Sequence, residues 1–242
     1  MLVLLLLAGW WIGGRMSAAS DAETRKLAGA AAPWMADGAR MKWELVRNWE
    51  VPDNDRLERV RTYARRIGAG DWEEESSAGG KLLRTSARWK FRSGDVDVTL
   101  LAGGDPARVT VLVRGGADNP AEAAAGVSRA KTKLAEALRG LGLDDGAAGS
   151  RLAVQGTLRP DAEPGKALDS AAAALSAKEL NRYRDAATIS AAYRTDKLTE
   201  YGSPPGAFDS GNLQAAVHRN SETGEMIFVL GTPVLGGDFV IH

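Results

Sequence analysis

The sequence predicts an α+β fold of two similar halves, each setting a helix against a mostly antiparallel sheet. Three observations carry that expectation. The chain closes on two strand-like runs around a turn, Leu213–Arg219 and Met226–Leu230. A second pair of alternating runs, Asp95–Ala102 and Arg108–Arg114, flanks Gly103-Gly-Asp-Pro106. Helices with a single apolar stripe fall between these pairs, without the βαβ alternation or the Gly-rich phosphate loop of a doubly wound sheet.

In chain order, Met41–Trp49 is mixed: Trp43, Val46 and Trp49 fall near helical spacing, so a short helix or a first strand is expected. After Val51-Pro-Asp-Asn-Asp55, which supplies N-caps, Leu57, Val60, Ala64 and Ile67 recur at three- and four-residue steps and predict a helix that Gly68 and Gly70 end. Asp71-Trp-Glu-Glu-Glu75, a turn at Ser76–Gly80 and Lys81–Arg92 read as a hairpin, with Trp89 and Phe91 on one side. Val96, Val98 and Leu100, then Val109, Val111 and Val113, give the second hairpin. Asn119-Pro120 is an N-cap followed by proline at the first helical position, and Val127, Ala130, Leu134, Leu138 and Leu141 form the stripe of the helix it opens.

Gly142–Gly149 reads as a joint, which puts the halves at about 41–142 and 150–242. Arg151–Arg159 is expected as a strand, Pro160–Gly165 as a loop and Asp169–Asn181 as an alanine-rich helix with Leu168, Ala172 and Leu175 inward. Ala187–Arg194 follows as a strand, and the Tyr201–Gly206 loop precedes the last hairpin. There Leu213, Ala215 and Val217 alternate with Gln214, Ala216 and His218, the pattern of a half-buried strand. Met226–Leu230 is apolar throughout and is expected as a covered central strand, with Asn220-Ser-Glu-Thr-Gly224 turning between the two.

Composition narrows the function classes. The 242 residues are 44% hydrophobic and 26% charged, an ordinary globular balance. Lysine plus arginine equal aspartate plus glutamate at 31 each, so the whole chain exerts no pull on polyanions. With no cysteine, disulfides and thiolate metal sites are excluded.

Leu2-Val-Leu-Leu-Leu-Leu-Ala-Gly-Trp-Trp-Ile12 reaches roughly 20 Å as a helix, short of the roughly 30 Å hydrocarbon layer. Its length suits the apolar region of a secretory signal peptide, with Ser17-Ala-Ala19 as the cleavage site; an uncleaved anchor is the alternative. Residues 1–19 are therefore expected as leader or anchor, 20–40 as a linker or weak helix, and 41–242 as the folded domain, placed outside the cytoplasm.

Asn212-Leu-Gln-Ala-Ala-Val-His-Arg219 and Gly231-Thr-Pro-Val234 resemble the closing motif of the YwmB-like family, exported proteins of unknown function from Gram-positive spore-formers. The motif there is Asn-Leu-x-x-Ala-x-Arg followed by an apolar strand ending in Gly-Ser/Thr-Pro; here His218 stands where the family has its arginine. The resemblance implies a curved antiparallel sheet with helices on one face, the two-repeat saddle of the TATA-box-binding protein. It carries over no catalytic residue.

No residue is assigned a catalytic, cofactor-binding or metal role, and no cofactor is expected. The only histidines are His218 and His242, too few for a triad or a multi-histidine metal site; His218 is read as solvent-facing on the polar side of its strand. No Gly-x-Ser-x-Gly elbow, P-loop or His-Glu-x-x-His helix is present. Arg56, Arg59, Arg61, Arg65 and Arg66 on one helix invite a phosphate, but a solvated arginine face is the simpler reading. Glu73–Glu75 alternate faces in a strand, so at most Glu73 and Glu75 converge on a metal.

Trp72 and Trp89 on sheet arms are either packing residues or a flat platform for a glycan, a lipid or a partner protein of the envelope. The preferred function is a non-enzymatic binding or structural module. The alternatives are a hydrolase with an unrecognised carboxylate pair and, by fold analogy alone, a nucleic-acid binder, whose electrostatic footprint is missing.

Overall fold

A computed structural model describes residues 22–50, 56–69, 73–77, 80–91, 94–103, 108–139, 150–198 and 211–232. The leader at 1–19, Trp72, the 142–149 joint, the 201–206 loop and the tail from Pro233 to His242 lie outside the described residues. The elements are helix α1 (residues 22–31), a 3₁₀ turn (Ala32–Trp34), β1 (Met41–Glu50), α2 (Arg56–Ile67), β2 (Glu73–Ser77), β3 (Gly80–Phe91), β4 (Gly94–Gly103), β5 (Arg108–Ala117) and α3 (Pro120–Leu138). Then come β6 (Ser150–Thr157), α4 (Pro164–Ala174), β7 (Lys178–Arg184), β8 (Thr188–Arg194), β9 (Leu213–Arg219) and β10 (Met226–Thr232).

All ten strands form one antiparallel sheet backed by helices, in the order β2-β3-β4-β5-β1-β6-β10-β9-β8-β7. Outward from the β1–β6 pair, both halves read alike: first strand, last strand, then the three between in descending order. β1 therefore occupies the middle of the sheet, which explains its mixed pattern. Met41, Trp43 and Leu45 are buried towards the helices, and Val46, on the other face, is buried too. Beside exposed Lys42 and half-buried Glu44 on that face, the buried Val46 interrupts what is otherwise a period of 2.

The core lies between this sheet and the helices. Trp43, 1% exposed, is clamped between β5 and α3: a Cβ at Gly115 would stand 2.4 Å from its ring, and one at Gly126 3.0 Å. Only glycine lets the strand and the helix close on an indole at that spacing. On α2, Val60, Tyr63, Ala64 and Ile67 are buried, and Trp89 Nε1 donates to Ile67 O at 2.8 Å. At the start of α3, Glu122 N donates to Asn119 Oδ1 (3.0 Å) while Glu122 Oε2 accepts from Asp118 N (3.1 Å), reciprocal capping of two otherwise orphaned donors. Asn212, which opens the last strand motif, holds the chain after β8: its Oδ1 accepts from Thr195 N and its Nδ2 donates to Thr195 O and Leu198 O.

Three sequence expectations are corrected. Of the two expectations for 20–40, the helix and not the linker is found over the described residues from 22: Leu27, Ala28 and Ala31 of α1 are fully buried, and Met35, 7% exposed, bridges Leu158 at the end of β6. Alanine-rich helices carry little propensity for linkers or for cores as such; here the small residues let α1 lie close against the second half. Trp34, which has no partner readable from sequence, packs partly buried against the core.

The second correction is at α4, which runs from Pro164 to Ala174 rather than from Asp169 to Asn181. Pro164 sits at the first turn, where its missing N–H costs nothing, and Ser176 breaks the helix at φ 51°. The residues after it form β7, whose seven side chains are all exposed, so no apolar period announced it. The third is β9, which is buried from Leu213 to Val217 on both faces rather than half-buried.

Candidate functional site

The helices and the core cluster occupy one face of the sheet, and the registers place defined rows on the other. One row begins with Arg88, Asp97, Arg114 and Glu44 in the first half and continues through Ala153, Gly231, Gln214 and Ala192 in the second. The next row runs Lys42, Gln155, Val229, Ala216 and Ser190, and the one beyond it Ile227, His218 and Thr188.

The two halves of this face differ in kind. In the first half the row is an ion ladder: Arg88 Nε meets Asp97 Oδ1 at 2.8 Å and Arg114 Nε meets Glu44 Oε2 at 2.7 Å. Arg88 and Asp97 are mostly solvent-exposed, where such a pair contributes little. Charges cancel along this row.

In the second half the floor is small and apolar. Val46 of the central strand β1 and Ala153, Ala216 and Val229 of the second half are between 0% and 6% exposed, yet they stand outside the core cluster, and no described helix lies on this face. Among them Gln214, 7% exposed, has a buried Oε1 without a hydrogen-bond partner, and both ring nitrogens of His218 are buried without one. A buried polar group left unpaired costs about 1–3 kcal/mol, which a bound donor or acceptor would return. Burial holds the His218 pKa below the ordinary histidine value. His218 is thus not the solvent-facing residue that alternation predicts. Its cross-strand neighbours are Ile227 and Thr188, so no carboxylate orients the ring for base catalysis.

The other sequence candidates fall elsewhere. Trp89 is 2% exposed, edge-on to Phe91 with ring centroids 6.2 Å apart and Lys133 Nζ 4.6 Å above its ring. It is a packing residue and not part of a platform. On α2, Arg61 and Arg65 are exposed, and Arg66 Nη1 donates to Ala137 O and Arg139 O, tying α2 to the end of α3. Glu73–Glu75 lie in the edge strand β2.

The hollow most suggestive of acid chemistry, about 310 Å³, is lined by the turn after α1 and the start of α3 and includes Asp37 and Asp118. Both are exposed, and Asp118 is engaged by Arg40 at 3.8 Å. They lack the desolvation that general acid–base pairs use.

No family model and no curated protein matches the chain. Solved structures similar to it include DynU16, "a putative protein in the dynemicin biosynthetic locus", at 12% identity over 81% of this chain and 89% of that one, with a TM-score of 0.25. The delta26 monomer of AdoMetDC from Trypanosoma brucei matches at 11% identity over 81% of this chain and 66% of that one, TM-score 0.26. The di-domain ARO/CYC BexL from the BE-7585A biosynthetic pathway matches at 12% identity over 79% and 84%, TM-score 0.24. At these scores the likenesses are weak, and the assignment of fold rests on the sheet topology itself.

Proposed function

We propose that this chain is an exported, non-enzymatic binding or structural module of the cell envelope, related to the YwmB-like proteins and built on their TATA-box-binding-protein-like saddle. It grips its ligand at the half-buried margin of the second half's face that carries no described helix, around His218, Ile227, Thr188 and Ser190. The observation that carries the reading is the pair of buried, unpartnered polar groups, Gln214 Oε1 and the His218 ring, on a floor of small side chains outside the core. The floor itself is closed to solvent, and the half-buried residues at its margin, Thr188, Ser190, His218 and Ile227, are the ones a ligand can reach with hydrogen bonds. Export rests on the leader-like run at Leu2–Ile12 and the small residues Ser17–Ala19.

Two measurements test it. Fractionation with N-terminal sequencing is expected to find a mature chain beginning near Ala19 outside the cytoplasm; full-length protein in the cytosol overturns the export reading. Co-sedimentation with isolated cell wall and with lipid vesicles, run on the wild type and on the half-buried His218→Ala, is expected to show binding that the variant loses while its circular dichroism is unchanged. A folded variant that sediments as the wild type does removes this face from consideration.

A further inference from the structure

Trp34 is only partly covered by the protein, and we infer that a neutral sugar ring covers the rest: the hollow of about 350 Å³ between the 3₁₀ turn and the first turn of α4 is a saccharide site. One part of the half-buried Trp34 packs against the core and another lines the hollow. Beside it Ala162 completes an apolar floor, and Arg159, Asp161, Glu163 and Lys166 form the rim. None of these residues belongs to the margin around His218, so the two sites are separate.

Backbone bonds fix the spacing of floor and rim. Arg159 N donates to Trp34 O at 3.0 Å, and Ala162 N donates to Arg159 O at 3.0 Å. The Arg159 guanidinium is pinned as well: Nε and Nη2 donate to the two carboxylate oxygens of Asp161 at 3.0 and 2.5 Å, and Nη1 donates to Pro33 O at 3.4 Å. That uses three of its five N–H groups and leaves two, while each Asp161 oxygen keeps a lone pair. Lys166 Nζ, which meets Glu163 Oε2 at 3.1 Å, also keeps spare donors. The hydrogen bond from Arg159 holds the Asp161 carboxyl below the usual carboxylate range, so at neutral pH it only accepts.

Chemistry selects the ligand. On the rim Arg159 pairs with Asp161 and Lys166 with Glu163, so its charges cancel and an anion would have to break these pairs to bind. A hydroxyl both donates and accepts. Neighbouring hydroxyls of a pyranose can therefore take a spare guanidinium N–H and a spare carboxylate lone pair together, leaving both ion pairs intact. The C–H face of the same ring is flat and apolar, which suits the indole of Trp34. A wholly apolar ligand would instead strip water from the rim groups and give nothing back. About 350 Å³ lies at the small end of the roughly 300–1,000 Å³ of ligand pockets and suits a mono- or disaccharide. Both ion pairs are largely exposed, so water competes for the rim and binding is weak.

Proton–nitrogen correlation spectra of the protein, titrated with cellobiose, maltose, lactose and diacetylchitobiose to about 50 mM, follow the indole N–H of Trp34, identified by its loss in Trp34→Phe. At least one of these neutral disaccharides is expected to move that resonance with a Kd on the order of 1 mM, unchanged between about 0.05 M and about 0.5 M salt. The ring C–H protons of that sugar are expected to receive saturation transfer from the protein. Trp34→Leu keeps an apolar packing group and removes the stacking surface, and should weaken binding about tenfold or more. Lys166→Ala should weaken it about threefold, and because that side chain is 77% exposed the fold is untouched. Wild-type spectra indifferent to all four sugars, a Trp34 resonance that moves instead with inorganic phosphate or acetate, or a folded Trp34→Leu or Lys166→Ala that binds as the wild type does would each overturn the inference.

Discussion

Replacing Leu27 by alanine in the chain that begins at Ser20 tests whether α1 is part of the fold. Leu27 is fully buried, with Ala28 and Ala31 of the same helix, and Met35 follows across Leu158. Two backbone bonds also lock this segment to the end of β6: Ala36 N donates to Thr157 O at 2.8 Å and Arg159 N donates to Trp34 O at 3.0 Å. A leucine truncated in such a site loses its transfer free energy and leaves a cavity that the anchored backbone cannot collapse into, at a cost of about 2–5 kcal/mol. For a domain of this size each kcal/mol moves Tm by about 2–4 °C, so the midpoint should fall by roughly 5–15 °C. Thermal unfolding followed by tryptophan fluorescence and by far-ultraviolet circular dichroism measures it, with Arg25→Ala, an exposed neighbour on the same helix, as control. The control should stay within about 0.5 kcal/mol. A loss for Leu27→Ala no larger than the control's would mean that α1 is an appendage and that the domain begins at Met41, as the sequence implies.

Gly115→Ala forces a methyl into the Trp43 ring at 2.4 Å and should destabilise by about 1–3 kcal/mol or more, with Trp43→Phe in the same chain returning part of the loss; equal stabilities in thermal melts would contradict the clamp. Tyr193 is 2% exposed with an unpartnered hydroxyl, so Tyr193→Phe should leave stability unchanged or raise it by about 1 kcal/mol, where most core substitutions lower it. Burial pushes the Tyr193 pKa up to about 12, above its unfolded value of about 10, so its stabilising contribution is complete below about pH 10 and is lost as pH rises towards about 12. The phenylalanine variant should lack that alkaline loss in pH-dependent melts. His218 has the opposite sign: burial depresses its folded pKa, so its contribution is present above the unfolded value of about 6.5 and is lost as pH falls below it. His218→Gln should flatten stability across that acid window, and a profile unchanged by the substitution would show that the ring is not desolvated.

The apolar periods that were legible belong to elements covered on one side only. α2, α3 and the β4–β5 hairpin each bury one face, and their stripes, from Val60 to Ile67, Val127 to Leu138 and Val96 to Val113, were plain in the sequence. β9 was harder because both of its faces are buried, and β1 because Val46 is buried on the face that otherwise carries exposed Lys42 and half-buried Glu44, which interrupts alternation. β7 was invisible for the opposite reason: nothing of it is buried, so Lys178–Arg184 has no face to mark and continued an alanine-rich helix on paper. The candidate face suffered the same way. Gln214, Ala216 and His218 look like the polar side of an ordinary strand, and only their cross-strand neighbours Gly231, Val229 and Ile227 show that this side is dry.

Local chemistry and composition alone determined the kinds of element: the proline and asparagine that open α3, the glycine turn before β10, the leader-like run at the start, and the absence of thiol chemistry and of a multi-histidine site. These depend on residues within a few positions of one another, and a single chain displays them. Tertiary structure decided which strand lies in the middle, that α1 completes the second half from the far end of the chain, that Trp43 requires Gly115 and Gly126, and that one face of β9 buries polar atoms without partners. Those are contacts between residues tens to hundreds of positions apart, and their energies exist only once the sheet has brought the partners together.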